Sequence, residues 1–179
     1  MELQQVILVD EQDEPAGTME KMEAHRQGLL HRAFSIFIFN SKGDLLLQRR
    51  AINKYHSGGL WSNSCCSHPE PGEETVVAAR RRLKEEMGFT THLDKIFEFI
   101  YKAEFSNGLT EYEFDHVFAG RYEGSIDYNK EEVMDYCYKS LADIRDELRN
   151  HPDSFSKWFC VAFPKIEEWW RSNRKTMIA

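Results

Sequence analysis

The 179-residue sequence lacks the excess of basic residues that is common in proteins that bind polyanions. Its 23 lysines and arginines are outnumbered by 30 aspartates and glutamates, which gives a formal net charge of −7. Nucleic-acid-binding proteins usually present a basic stripe or patch. The composition therefore predicts no nucleic-acid partner, although local basic clusters have to be judged separately.

Long apolar segments and spaced cysteines are also missing. No stretch approaches the about 20 apolar residues of a membrane-spanning helix. The N-terminal segment MELQQVILVDEQDEP resembles neither a secretory signal nor a transit peptide. Adjacent Cys65 and Cys66 with two distant cysteines, Cys137 and Cys160, make a poor disulfide framework. Since disulfides are rare in reducing compartments, we expect a cytoplasmic protein without membrane contact.

Apolar patterning predicts one α+β domain over residues 1–179, with a mixed β-sheet flanked by helices. Apolar runs predict a strand at 3–9 and two strands within 31–51 that a turn at Asn40 to Asp44 joins as a hairpin. Two further strands flank SNGL at 106–109 as a second hairpin, and EVMDYCYKS predicts another strand.

The clearest helical pattern runs from Glu73 to Met87, where apolar or small residues recur at helical spacing and Gly88 is placed to end the helix. The segment TMEKMEAHRQG fits either a short helix or a loop. Ser140 with Asp143 resembles a helix-capping pair. The aromatic-rich stretch SFSKWFCVAFPKIEEWWRS predicts a helix that Pro164 kinks or divides.

Residues 52–72 carry Gly, Ser, Asn and Pro without apolar periodicity and predict a long ordered loop, which in a compact domain is more often functional than idle. Because its cysteines, Cys65 and Cys66, are adjacent and form no CxxC, a structural zinc site is a weak interpretation. A cysteine two residues before His68 and ahead of a helix fits a thiol for proton transfer or nucleophilic attack. It also fits a buried free cysteine.

Acidic side chains alternate along TEYEFDH. Since side chains two apart in a strand share a face, Glu111, Glu113 and Asp115 are expected to point the same way. This pattern fits the solvent-facing side of an antiparallel strand, and it also fits carboxylates aimed at a common site.

Histidines in three separate segments could meet those carboxylates: His25, His31 and His68. Three imidazoles with two carboxylates suit Zn²⁺, Mn²⁺ or Fe²⁺, whereas an all-oxygen site suits Mg²⁺ or Ca²⁺. The remaining histidines are interpreted as structural or surface residues: His56, His92, His116 and His151. Glu85 and Glu86 lie near the end of the predicted helix, where carboxylates oppose the helix dipole. Their position is explained either by a bound divalent cation or by a solvent-exposed series of charged residues.

The span from Ser67 to Phe89 resembles a Nudix box, whose pattern is G-x5-E-x7-R-E-U-x-E-E-x-G-U with U apolar. The matching positions are Glu73, Arg81, Leu83, Glu85, Glu86, Gly88 and Phe89. Ser67 replaces the opening glycine, and Arg82 replaces the first glutamate of the metal-binding helix. Since Nudix hydrolases typically need that glutamate, the departure weakens hydrolysis as an activity but leaves diphosphate binding with one Mg²⁺ in place.

Nearly the whole chain resembles the type I isopentenyl-diphosphate isomerases, Nudix-fold enzymes of isoprenoid biosynthesis that interconvert isopentenyl and dimethylallyl diphosphate. Several motifs carry the resemblance in order: TMEKMEAH, LHRAFSIFIFN, LLLQRRA, WSNSCCSHP, EYEFDHVF, EEVMDY and FSKWF. The resemblance implies a small prenyl diphosphate as substrate. We expect a monomer.

The same resemblance implies roles for individual residues. It assigns one Zn²⁺ or Mn²⁺ to a cage of His25, His31, His68, Glu111 and Glu113. It assigns Cys66 and Glu113 as opposed proton-transfer groups, with Cys65 a packed neighbour. One Mg²⁺ is held against the diphosphate by Glu86, and the implied cationic contacts are Lys21, Arg50, Lys54 and Arg82. The aromatic positions around the hydrocarbon are Tyr101 and Trp158.

Such chemistry explains these residue types. Moving a carbon–carbon double bond requires one group that adds a proton and another that removes one, within a closed site that protects positive charge from water. Two rival interpretations stay open. One is a Nudix hydrolase of a nucleoside diphosphate derivative. The other is a non-catalytic metal-binding or interaction module, which is favoured if the histidines do not converge.

Overall fold

The structure is a computed structural model that describes residues 4–178, without the side chains of 177 and 178. Within these residues the elements follow in chain order: β1 (Gln5–Val9), β2 (Pro15–Glu20), α1 (Lys21–Gln27), β3 (His31–Phe39), β4 (Leu45–Arg50), β5 (Trp61–Ser62), β6 (Cys65–Ser67), α2 (Thr75–Met87), β7 (Leu93–Glu104), β8 (Thr110–Arg121), β9 (Val133–Lys139), α3 (Leu141–Asn150), a 3₁₀ turn (Pro152–Ser154) and α4 (Lys157–Ile178). None of the helices in this described part is long and apolar enough to cross a membrane.

Strand β3 organises the sheet. It pairs in parallel with β8 along its whole length, which sets His31 opposite Glu113. It pairs antiparallel with β6, which sets Ser35 opposite Cys66. The other strands extend the sheet outward, with β1 and β2 at one side, β7 beyond β8, and β5 and β9 on β4. The registers of β6 and β8 therefore bring a cysteine and a glutamate beside the same strand.

Both faces of β3 are buried, because side chains alternate between two core clusters. Phe34, Ile36 and Ile38 lie in the core cluster that includes residues of α2. Phe37 and Phe39, on the opposite face of the strand, lie in the core cluster that includes residues of α4. The result is a three-layer arrangement with the sheet between α2 and α4. Burial of each such large apolar side chain stabilises the fold by about 1.5–3 kcal/mol.

Most of the predicted elements are present. The strand at 3–9 appears as β1, although residue 3 lies outside the described range, and the second hairpin appears as β7 and β8. The helix predicted from Glu73 begins at Thr75 and ends at Gly88, whose left-handed φ of 79° suits a glycine. The TMEKMEAHRQG segment includes helix α1, and the Ser140 hydroxyl caps α3 by accepting from the Asp143 amide.

Three structural expectations were wrong or incomplete. The two strands within 31–51 exist, but β3 and β4 pair only at Phe39 and Leu45, because parallel β8 and antiparallel β6 take the edges of β3. Helix α4 runs through Pro164 without being divided, since residues on both sides of it pack into one core. Strand β2 was missed, and β5 and β6 lie inside the segment predicted as loop.

Candidate active site and metal centre

Four potential metal ligands converge from four elements of the chain. His25 comes from α1, His31 from the start of β3, His68 follows β6, and Glu113 lies in β8. One donor atom of each lies within 4.8 Å of those of the others. All four residues are buried. The structure thus brings together the three histidines that the sequence separates by up to 43 positions.

The donor atoms are already spaced like ligands of one ion. His68 Nε2 lies 3.0 Å from Glu113 Oε1 and 3.2 Å from His31 Nε2, while His31 Nε2 lies 3.6 Å from that same oxygen. Neighbouring ligands at about 2.0–2.1 Å from a metal are separated by roughly 3.0–3.4 Å. The site therefore needs little rearrangement to hold a transition-metal ion.

Backbone carbonyls select the protonation of two of these imidazoles. His25 Nδ1 lies 2.7 Å from the Lys21 carbonyl oxygen, and His31 Nδ1 lies 2.8 Å from that of Leu29. A carbonyl can only accept, so Nδ1 carries the proton and Nε2 keeps its lone pair for a metal. His25 Nε2 is buried and has no hydrogen-bond partner. The donor set and this orphaned nitrogen fit a bound divalent ion.

Glu111, the fifth predicted ligand, lies beside the four rather than among them. Its donor oxygen groups with His25 and with His56, a histidine that the sequence analysis left as structural or surface. His56 Nε2 lies 2.9 Å from Glu111 Oε1. The Tyr101 hydroxyl lies between the two glutamates, 2.6 Å from Glu113 Oε2 and 3.2 Å from Glu111 Oε2.

The two glutamates differ in proton affinity. Burial and the charge of Glu113 raise the pKa of Glu111 to about 8. Burial also opposes ionisation of Glu113, but its contacts with His31 and His68 outweigh this and hold its pKa well below the usual range. In the metal-free geometry, therefore, Glu113 is the carboxylate and Glu111 the more readily protonated group.

Cys66 projects from β6 into a buried polar network. Its Sγ lies 3.0 Å from Asn63 Oδ1 and 3.4 Å from the Ser35 hydroxyl, which in turn donates to Asp115 Oδ2 at 2.7 Å. Burial, reinforced by the charge of Asp115, raises the pKa of the Cys66 thiol. The thiol is therefore protonated at neutral pH. Cys65 faces away and packs in the core beside α2.

Cys66 and Glu113 line the same cavity. The volume of this cavity is about 30 Å³. Its wall also includes an aromatic and cationic set that the sequence analysis named: Arg50, Tyr101 and Trp158. A thiol and a carboxylate thus line one shared cavity, as two proton-transfer groups on one small molecule would require.

The four predicted diphosphate contacts are gathered together. Burial and three nearby positive charges lower the pKa of the Lys21 amino group to about 8. Those charges belong to Lys54, Arg82 and Arg50. Positively charged side chains that lie close enough to lower the pKa of Lys21 create a positive potential, which favours binding of an anion.

Glu86, the predicted Mg²⁺ ligand, lies outside the two His/Glu groups found among the described residues. Its carboxylate accepts from Arg82 NH2 at 2.7 Å and from Gln48 Nε2 at 3.0 Å. It offers the oxygen that Mg²⁺ prefers, and Mg²⁺ commonly binds one protein carboxylate together with substrate phosphates. Both oxygens are engaged, so a bound ion would have to compete with one of these donors.

His56 and Asn63 also line or adjoin the site, although their sequence context did not predict this. Asn63 is fully buried, and its amide oxygen accepts from Trp158 Nε1 at 3.1 Å as well as from the Cys66 thiol. It thereby links the thiol to the aromatic side chain across the cavity. Both residues lie in the aperiodic segment 52–72, and that position was the one sequence feature that could have indicated a functional role. The directions in which polar side chains of a loop point are set only by the folded structure.

Comparisons with known proteins agree with this geometry. A NUDIX domain matches residues 29–159. A relative from Pectobacterium atrosepticum, named isopentenyl-diphosphate Delta-isomerase, is 49% identical over 96% of each chain. Another from Aromatoleum aromaticum, named isopentenyl-diphosphate Delta-isomerase 1, is 56% identical and covers 90% of this chain and 92% of its own.

Among solved structures, DR0079 from Deinococcus radiodurans aligns with a TM-score of 0.77 over 90% of this chain and 98% of its own. At 19% identity, that likeness supports the fold alone. The fold, the matched domain and the close relatives together establish that the chain belongs to the isopentenyl-diphosphate Delta-isomerases, a family with the NUDIX fold.

Proposed function

We propose that this chain interconverts isopentenyl diphosphate and dimethylallyl diphosphate in isoprenoid biosynthesis. Membership of the family supports the reaction. The observation that carries the residue assignment is the shared cavity of Cys66 and Glu113.

Cys66 and Glu113 act as the opposed proton-transfer groups. One adds a proton to the terminal alkene carbon, which leaves positive charge on the neighbouring tertiary carbon. The other removes a proton from the carbon on the diphosphate side, so one C–H bond forms, one breaks and the double bond moves by one position. Each group changes roles in the reverse direction. The thiol of Cys66 acts as acid or base according to the direction of the reaction.

Trp158 and Tyr101 shape the hydrocarbon end of the cavity. Trp158 is 3% exposed, and its indole N–H is fixed by Asn63, so the ring cannot turn freely. A desolvated aromatic face stabilises a nearby cation by roughly 2 kcal/mol or more. The buried ring also excludes water, which would quench the positive carbon.

The cationic cluster anchors the diphosphate. Its members are Lys21, Arg50, Lys54 and Arg82. Because the diphosphate is remote from the reacting carbons, this binding energy positions a small hydrocarbon that offers little to hold. Glu86 holds Mg²⁺ with the diphosphate, and the His/Glu site holds Zn²⁺ or Mn²⁺. A cation bound there supplies positive charge that tunes the proton affinity of the neighbouring carboxylate.

The proposal extends to the state of the protein in the cell. Residues 1–179 act as one domain, a proposal supported by the single nine-stranded sheet that the described residues form. The protein is a monomer of the cytoplasm. The unpaired state of its four cysteines supports that compartment, and gel filtration with light scattering tests the oligomeric state.

Incubation with isopentenyl diphosphate in ²H₂O tests the reaction. Reversible proton transfer places deuterium in the recovered substrate and in the allylic product. We expect incorporation with the metal-loaded wild type and almost none with Cys66→Ala or Glu113→Gln. An active Cys66→Ala variant contradicts the role of the thiol, and an inactive wild type contradicts the proposed reaction.

A Nudix hydrolase is the alternative that the Glu73, Arg81 and Glu85 spacing favours. Against it, Arg82 stands where the hydrolase pattern has a glutamate, and its guanidinium pairs with Glu85 and Glu86. A panel of nucleoside diphosphate derivatives with Mg²⁺ is expected to remain intact. Rapid release of phosphate or nucleotide, with no allylic product from isopentenyl diphosphate, would reverse this choice.

A further inference from the structure

Ser35 lies in the middle of a row of three polar side chains that crosses the sheet. Its strand, β3, pairs with β6 and with β8, and Ser35 lies directly opposite Cys66. Asp115 comes from β8, on the other side of β3. Ser35 and Asp115 are 3% and 1% exposed, and Ser35 lines the same cavity as Cys66. A buried hydroxyl therefore lies beside the sulfur that takes part in proton transfer.

Among the residues that the structure describes, two side chains lie within hydrogen-bond distance of the Cys66 sulfur. Asn63 Oδ1 is 3.0 Å from it and Ser35 Oγ is 3.4 Å from it. The Ser35 hydroxyl donates its proton to Asp115 Oδ2 at 2.7 Å. Because a serine hydroxyl has a single proton, only its lone pairs are left for the sulfur in this arrangement. The thiol is therefore the donor toward either neighbour.

Asn63 has no proton to give to the sulfur. Its amide nitrogen donates to the backbone carbonyl of Ile36 at 3.1 Å and to that of Cys65 at 2.9 Å. These two bonds use both amide hydrogens and fix the amide with its oxygen toward the sulfur. An amide oxygen can only accept. The contact with Asn63 therefore suits a thiol, but it opposes negative charge on the sulfur.

Proton transfer by Cys66 creates such a charge. When the thiol protonates the alkene, the S–H bond breaks and the alkene electron pair forms the new C–H bond. The S–H electron pair stays on the sulfur, which becomes a thiolate, and the reverse reaction starts from that thiolate. Of the two neighbours of the sulfur, only Ser35 has a proton to offer. Its hydroxyl can turn about the Cβ–Oγ bond, so the donor reaches the sulfur while the oxygen stays in place.

We propose that Ser35 is the hydrogen-bond donor that stabilises negative charge on the Cys66 sulfur during proton transfer, and that Asp115 holds the hydroxyl in position beforehand. A donor already placed where charge develops lowers the barrier without reorganisation at the moment of reaction. This role rests on the proposed isomerase reaction, in which Cys66 is one of the two proton-transfer groups.

Steady-state isomerisation of isopentenyl diphosphate by metal-loaded Ser35→Ala tests the role. We expect kcat to fall by about 10- to 100-fold, the effect of one hydrogen bond to a charged group. KM and metal content should match those of the wild type, because the bond is made only after the substrate is bound. Circular dichroism establishes that the variant is folded. A folded Ser35→Ala with the kcat of the wild type overturns the proposal.

Two further variants separate the hydroxyl from packing at this buried position. Ser35→Thr keeps a hydroxyl, whereas Ser35→Val has nearly the same shape without one, so kcat should be clearly higher for Ser35→Thr. Ser64→Ala is the matched control, since it removes a buried hydroxyl that contacts only the backbone of Leu46 and Ile38. It should keep the kcat of the wild type. Equal kcat values for Ser35→Thr and Ser35→Val overturn the proposal, as does an equal loss in Ser64→Ala.

Alkylation of Cys66 by iodoacetamide gives a readout that does not depend on isomerase activity. The reagent reacts with the thiolate, and peptide mass spectrometry of metal-loaded protein at one fixed pH measures the rate at Cys66. Ser35→Ala and Ser35→Val should react more slowly than the wild type and Ser35→Thr. Equal rates overturn the role of Ser35. An inactive wild type that shows the expected order contradicts the proposed reaction but supports the hydrogen bond to the thiolate.

Discussion

At the scale of single residues, strand geometry places the two adjacent cysteines, Cys65 and Cys66, in different environments. Consecutive residues of a strand point to opposite faces. In β6 this sends Cys66 into the cavity and buries Cys65 completely in the core beside α2. The same geometry holds the two sulfurs apart, so no vicinal disulfide can form without rearrangement of the strand.

Replacement of each cysteine by alanine is therefore expected to have different effects. Cys66→Ala removes the proposed proton-transfer thiol and should lower kcat by about 10²–10⁴-fold. Its metal content should match the wild type, because the thiol is not among the donors of the two His/Glu groups. Cys65→Ala is the control and should lose some stability while keeping its activity. Steady-state kinetics, metal analysis and urea unfolding measure these effects, and equal loss of activity in both variants would contradict the separation.

At the scale of elements, helix α2 is fixed at both ends by contacts outside the helix. Before its start, Glu73 accepts two hydrogen bonds from Arg81, both 2.8 Å long. After its end, Gly88 takes the left-handed conformation and lies against the backbone of Asp127. These contacts fix the helix that carries Arg82 and Glu86, two residues of the proposed diphosphate site.

The Glu73 contact predicts a pH dependence of stability. Hydrogen bonds from Arg81 lower the pKa of Glu73 from its ordinary value of 4.5. A lowered folded-state pKa means that the stabilisation is present above that ordinary value and is lost as the pH falls through the folded-state pKa. Glu73→Gln should cost up to about 1 kcal/mol at pH 7, since the pair is partly exposed. Urea unfolding should show this difference closing below pH 4.5. A difference that persists undiminished in acid would refute the pairing.

Gly88 allows a test with an internal control. An alanine Cβ at position 88 would lie 2.1 Å from the Asp127 carbonyl oxygen, whereas one at Gly72 would meet nothing within 4 Å. Both glycines have nearly the same φ, 79° and 82°. Gly72→Ala should therefore cost only the conformational penalty of about 1–2 kcal/mol. Gly88→Ala should cost clearly more in thermal or urea unfolding, and equal costs would show that the close approach to Asp127 is relieved without strain.

At the scale of the whole molecule, the metal centre depends on the complete fold. Its potential ligands come from α1, β3, β8 and the segments around β5 and β6, and only the sheet pairing brings them together. An unfolded chain has no such preformed site. Metal binding and folding are therefore expected to be coupled.

Added Zn²⁺ or Mn²⁺ should accordingly raise the Tm of the metal-free protein. A ligand that binds only the folded state at 100 times its Kd adds about 2.7 kcal/mol of stability. Differential scanning calorimetry of chelator-treated protein, with and without metal, measures the shift. Glu113→Gln should show a smaller shift because it loses a ligand. No change in Tm for the wild type would mean that the cluster does not bind these ions.

Sequence patterns predicted much of the fold because their signals are local. The apolar spacing of α2, the glycine that ends it and the alternation along β7 and β8 are properties of short segments. The two strands expected within 31–51 and the turn that joins them are present, but their antiparallel pairing is limited to Phe39 and Leu45, because β3 also pairs with β8 and β6, which are distant in sequence. Pro164 failed to divide α4 because packing on both sides of it stabilises a continuous helix.

Residue types and local patterns were enough to predict the candidate groups: a cysteine before a histidine, paired glutamates on one strand face, and motifs shared with the isomerases. Their grouping, with Glu111 beside His56 and Asn63 between Cys66 and Trp158, follows from the folded structure alone. The physical reason is that residue type and alternation are properties of neighbours in the chain. Distances between donor atoms, by contrast, depend on strand registers set by the burial of the whole sheet.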